Sequence, residues 1–162
     1  MASKILSAML GAKNHAVAGS TRLAATVGGA GLYNIKLNAD TDNGAIIGRG
    51  AFVAPEFYAE AAASGTFAGT IIAQAANGNF YVEVTTCAPT DCLVLHVPLT
   101  YDNYITESTL DGNFYNEKDD IVRAYQLTVG DVFELSAEGF TGTPVVGKAV
   151  SVASKKLKVA TS

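Results

Sequence analysis

The sequence predicts an all-β fold, a β-sandwich or small β-barrel with at most one short helix and an extended N-terminal arm. Three observations carry that expectation. Apolar residues alternate with polar ones over short stretches, as in Tyr33, Ile35 and Leu37 against Asn34, Lys36 and Asn38, and period two is the mark of a half-buried strand. The pair Asn-Gly recurs between such stretches, at Asn43-Gly44 and Asn77-Gly78, where it favours tight turns that need positive φ. The last third breaks into short apolar runs separated by Val-Gly-Asp, Gly-Phe-Thr-Gly and Ala-Ser-Lys, the spacing of a sandwich or barrel.

In chain order, residues 33–47 read as a hairpin or a strand–turn–strand unit with positive φ at both Asn43 and Gly44. The stretch APEFYAEAAASG is the helix candidate: Pro55 suits a first helical position, Ala59 and Ala61 to Ala63 favour helix, and Gly65 would end it. Phe80, Val82 and Val84 alternate with Tyr81, Glu83 and Thr85 after the second Asn-Gly turn. The run CLVLHVPL reads as a buried strand, with Pro98 ending its regular pairing. IVRAYQL, VFEL, VVGKAVSV and KLKVA supply four more strands. Lys155, Lys156 and Lys158 are expected on the solvated face of the last one, where charge blunts an exposed edge. Residues 1–22 form the arm and residues 23–162 a single β-rich domain; Ile5, Leu6, Met9 and Leu10 make a sticky apolar stripe in the arm.

Composition limits the function. The 162-residue chain is 49% apolar and 16% charged, with a net charge of −4. A weakly charged surface rich in small residues fits a chain that keeps part of itself against a partner. Eleven basic residues spread thinly do not make a phosphate-tracking surface, so nucleic acid is not an expected partner. No apolar run reaches the roughly 20 residues that span a bilayer, so neither is a membrane.

Catalytic and metal constellations do not assemble. The stretch DTDNG places glycine fifth and Ala51 twelfth, where a calcium loop needs glycine sixth and a glutamate twelfth. The two cysteines, Cys87 and Cys92, have no second pair to make a zinc site, and their spacing allows either a small disulfide loop or two free thiols. His15 and His96 are the only histidines. Cys92 and His96, four apart in one strand, stand roughly 13 Å apart at about 3.3 Å per residue, too far for proton transfer. No enzyme, no cofactor and no metal are expected.

The combination LNADTDNGAIIGRG, LVLHVPLTYDN, GNFYNEKDDIVRAYQLTVGDVFELS and VVGKAVSV, in that order, resembles the capsid decoration (cement or head) proteins of tailed bacteriophages. The matching residues are Asn43, Gly44, Pro98, Tyr101, Asp102, Arg123, Ala124, Tyr125, Gly130 and Asp131, within residues 33–50 and 93–152. The resemblance implies a structural virion protein, made in the host cytoplasm, that binds the outer surface of the major capsid shell and stabilises it. Its partners would be the phage major capsid protein and a second copy of itself. A tail or head-fiber component, or a secreted β-domain binding sugar or protein, are the alternatives. The residues expected at a capsid or subunit interface are Ile5, Leu6, Met9, Leu10, Tyr101, Asp102, Arg123 and Tyr125. Strand parity sets Arg123 beside Tyr125, ready to pair with a loop carboxylate such as Asp102 or to meet a neighbouring subunit.

Overall fold

A computed structural model describes residues 15–18, 31–96 and 114–161. The chain folds into two β-sheets, and the only helical turn among the described residues is a 3-10 turn at Ala137–Gly139. The described residues hold eleven strands: β1 (Leu32–Lys36), β2 (Ile46–Val53), β3 (Tyr58–Ala62), β4 (Ala68–Gln74), β5 (Phe80–Thr86), β6 (Asp91–Val94), β7 (Ile121–Gln126), β8 (Val132–Leu135), β9 (Phe140–Thr141), β10 (Ala149–Ala153) and β11 (Lys156–Val159).

Five of them close a barrel in the order β1-β3-β2-β6-β7, with β7 returning to β1. Closure leaves no free edge in this half. The other six form an open sheet ordered β8-β5-β4-β10-β11-β9. Strand parity builds two cores. Ile35, Leu37, Ile47, Cys92, Val94, Val122 and Ala124 fill the barrel. Ile46, Leu93 and Leu127, which point the other way, pack against Ile71, Val82, Val84, Phe133, Leu135, Val150 and Leu157 of the open sheet. β6, with Cys92 and Val94 in one core and Leu93 in the other, is buried on both sides, which is why Asp91–Val94 is inaccessible along its whole length and its apolar residues read as part of a continuous run.

Residues 54–65 are not a helix. They make the turn at the tip of the β2–β3 hairpin and then strand β3, which pairs parallel with β1 and antiparallel with β2. Alanine prefers helix over strand by only a few tenths of a kcal/mol per residue, and two ladders of backbone hydrogen bonds outweigh it. Ala59 and Ala61 face the barrel interior, where their small side chains leave room for the larger ones from β1 and β2. Gly65 ends no helix; its N–H donates to the Asp91 carboxylate at 2.5 Å. Ala88 N–H, Thr66 N–H and the Ser64 hydroxyl also donate to that carboxylate, so a fully buried acid holds the two chain segments that flank the seam.

Asn43-Gly44 joins β1 to β2, but the two strands are separated by β3 and form no hairpin. Only Gly44 has positive φ, at 83°. Asn43 keeps an ordinary backbone because its side chain acts as a strand partner: Nδ2 donates to His96 O at 2.9 Å and Oδ1 accepts His96 N–H at 3.0 Å. Asn77-Gly78 does join a hairpin, β4 to β5, again with positive φ at glycine alone. The turn with positive φ at both centres is Ser154-Lys155, at 51° and 70°, between β10 and β11.

Lys155 consequently leaves the solvated face on which the sequence puts it. The turn aims its ammonium at the barrel, where Nζ donates to Thr41 Oγ1 at 2.7 Å. Partial burial lowers its pKa. Lys156 and Lys158 are exposed on β11, although that strand is internal, flanked by β10 and β9. Of the two sheet edges, β8 and β9, β8 is covered by the chain itself. Ala18 bridges Leu135, Ser136 N–H donates to Val17 O at 2.9 Å, and Val17 N–H donates to Ser136 Oγ at 2.9 Å.

Candidate interaction surface

One end of the barrel gathers the accessible groups. β1 and β3 run parallel, so Leu32 and Tyr58 open their strands at the same end; β2 finishes there at Val53 and β7 at Gln126. Past that end the β2–β3 hairpin carries Phe52 and Phe57, 62% and 74% exposed. Their ring centroids are 6.5 Å apart in an edge-to-face arrangement. A register shift in the β2–β3 ladder lies between Arg49 and Phe52. Such a bulge re-aims a strand. Phe57 holds φ at +57°, a conformation that costs a bulky residue about 1–3 kcal/mol. The turn fixes it: Phe57 N–H donates to Val53 O at 3.1 Å and Glu56 N–H to the same carbonyl at 3.3 Å.

Inside the same end lies a polar plug. Ile47 points into the barrel, so Arg49, two residues on, does too. Its guanidinium carbon is 4.1 Å from the centroid of the Tyr33 ring, close enough for a stacked cation–π contact. The Tyr33 hydroxyl donates to Gln126 Oε1 at 3.2 Å, which fixes the ring. Cys92 lies below, fully buried. Burial pushes its thiol up to about 11 against the opposing pull of Arg49. Cys92 and Cys87 are both free thiols, which closes the disulfide alternative.

The outer wall of the barrel carries Arg123 and Tyr125. Arg123 is exposed on β7 opposite Asn34; Tyr125 is half-buried opposite Leu32; Ile121 is exposed opposite Lys36. The structure thus brings Arg123 and Tyr125 to one face, as parity requires. Ile5, Leu6, Met9, Leu10, Tyr101 and Asp102 lie outside the described residues, and with them the pairing of Arg123 with Asp102.

The N-terminal segment has its own anchorage. His15 Nδ1 lies 2.7 Å from Asp42 Oδ1, Ala16 N–H donates to Asp42 Oδ2 at 3.0 Å, and the His15 ring stacks on Tyr115 at 4.8 Å. Ala16 is buried in the core between barrel and sheet. The two acids of the DTDNG stretch are thereby engaged in framework contacts, Asp42 here and Asp40 with Lys118 N–H. Between the barrel and the open sheet runs a cleft of about 440 Å³ lined by Ile46, Phe67, Ser151 and Lys155 among others.

Phe52, Phe57 and Arg49 are the site residues that sequence reasoning did not single out. Pro55 between two apolar runs was the available sign of a projecting turn, and the alanines that follow it masked that sign. Comparison of the chain with family models, curated proteins and solved structures finds no match.

Proposed function

We propose that this chain is an accessory structural protein of a bacteriophage virion, one that binds the outer face of the major capsid shell and reinforces it. The observation that carries the reading is the Phe52–Phe57 pair, two aromatic side chains held exposed at the tip of a projecting hairpin, one of them at a backbone angle that costs stability. Strain of this kind persists where presenting a side chain matters. Aromatic anchors that fill a partner's pocket dominate binding energy. A single small anchor gives a modest contact, and many copies on one lattice turn modest contacts into firm attachment when they act together. The order of motifs that resembles decoration proteins and the weakly charged surface point the same way.

Cosedimentation with undecorated particles of the phage that encodes the chain tests the reading. The wild-type protein is expected to pellet with the particles, and the double variant Phe52→Ser, Phe57→Ser to bind at least 30-fold more weakly, since hot-spot residues contribute about 2 kcal/mol or more. Virions that lack this chain, together with particles that fail to bind it, would sink the proposal.

A further inference from the structure

The geometry points to Arg49 as a receptor for a carboxylate, supplied by an aspartate or glutamate side chain of the protein that Phe52 and Phe57 anchor. This inference rests on the capsid reading for the identity of the partner, whereas the carboxylate site does not depend on it.

Arg49 is partly buried at the barrel end, and its one described partner is the Tyr33 ring. A contact with the ring face gives none of the five guanidinium N–H donors a hydrogen-bond acceptor of its own. Among the described residues none of them meets an acceptor, and the one ion pair is His15–Asp42, elsewhere in the molecule. The acids that sequence proximity offers are committed or misdirected. Asp91 faces the seam, where its carboxylate takes four donors from residues 64–66 and 88. Glu60 is exposed on β3 with the parity opposite to Ala59 and Ala61, and so points away from the barrel interior. Cys92, also inside the barrel, stays a neutral thiol and supplies no counter-charge.

A cation partly withdrawn from water with no counter-ion among the described residues is costly, and one whose ring partner is itself fixed by a hydrogen bond is preorganised. A planar fork of donors matches a carboxylate with two parallel hydrogen bonds. Arg49 is three residues from Phe52 on the same strand, roughly 10 Å along it, so one partner surface can reach both. Arginine with aromatics at the centre of a contact is the usual make-up of a binding hot spot.

Two measurements decide the matter. In the first, isotope-labelled protein is titrated with sodium acetate and, at equal ionic strength, with sodium chloride. The Arg49 Nε–Hε resonance and the Tyr33 ring signals are expected to shift saturably with acetate alone, and Arg49→Gln to abolish the Tyr33 response. Equal, unsaturating shifts with both salts would overturn the proposal. In the second, capture of undecorated phage particles is compared for wild type, Arg49→Lys and Arg49→Gln, each checked for its melting temperature. Capture is expected to fall at least tenfold in Arg49→Gln and less in Arg49→Lys, which keeps the charge and should keep the fold. Acetate saturation with undiminished capture by both variants would overturn the assignment of the site to the partner's carboxylate. Acetate saturation with no capture of particles by the wild type would instead remove the capsid reading and leave the carboxylate site standing.

Discussion

Asp42 ties His15 and Ala16 to the loop between β1 and β2, one carboxylate oxygen on the imidazole at 2.7 Å and the other on the Ala16 N–H at 3.0 Å. Both contacts are made across more than twenty residues of chain, and with them the segment 15–18 lies along β8. Asp42→Ala removes both acceptors at once. Each net hydrogen bond of this sort contributes about 1 kcal/mol, so the variant should lose about 2 kcal/mol. The Ser136 amide, which donates to Val17 O, should lose hydrogen-exchange protection before the rest of the sheet does. Asp42→Asn keeps one acceptor and is expected to fall between. Unchanged protection at Ser136 in Asp42→Ala would show that the segment is held by other means.

Phe57 separates stability from binding. Glycine adopts φ near +57° without steric cost, so Phe57→Gly should hold stability level or raise it by about 1 kcal/mol, because a side chain 74% exposed contributes little to the core. The same variant should bind phage particles several-fold more weakly. Urea denaturation read beside cosedimentation gives both numbers; a variant that lost stability and kept its binding would contradict the role given to this aromatic.

The Cys92 thiol gives a signed dependence on pH. In the unfolded chain a thiol ionises near its ordinary value of 9.0, whereas in the folded protein it stays protonated to about 11. Between those values the unfolded state binds fewer protons than the native state, so stability falls as pH rises. The contribution is complete below pH 9 and declines through pH 11. The lowered amine of Lys155 acts in the opposite sense, since the native state there gives up its proton first. Urea denaturation of wild type and Cys92→Ala from pH 8 to 11 isolates the thiol: the stability difference between the two should shrink with rising pH. A difference constant over that range would refute it.

The alternation of Tyr33, Ile35 and Leu37, and of Phe80, Val82 and Val84, made β1 and β5 legible because each has one face in a core and one nearer water. The β4–β5 and β10–β11 hairpins were legible for the same reason, with a turn between two patterned runs. The pairing of β1 was not, because its partners are β3, in parallel, and β7, some ninety residues on, and period two says nothing about who pairs with whom. Alanine misled at residues 59–63, since a small side chain suits a helix and the crowded interior of a narrow barrel alike. Arg123 and Tyr125 were placed on one face by parity. Arg49 was hidden between Gly48 and Gly50, which break the alternation from which its inward direction could have been read.

The pairing of Leu32 with Tyr125 and of Ala18 with Leu135 has a consequence for how the chain comes into being. Neither the barrel nor the covered sheet edge can be completed until residues beyond 120 have left the ribosome. Until then β1, β2 and β3 wait with an open side, and only the β4–β5 hairpin and its like can form as they emerge. Late closure of distant strands makes folding slow, and the waiting strands are the part of the nascent protein most exposed to wrong neighbours. The strands joined by the tight turns at Gly78 and at Ser154-Lys155 are neighbours in sequence, so those two hairpins need no distant partner.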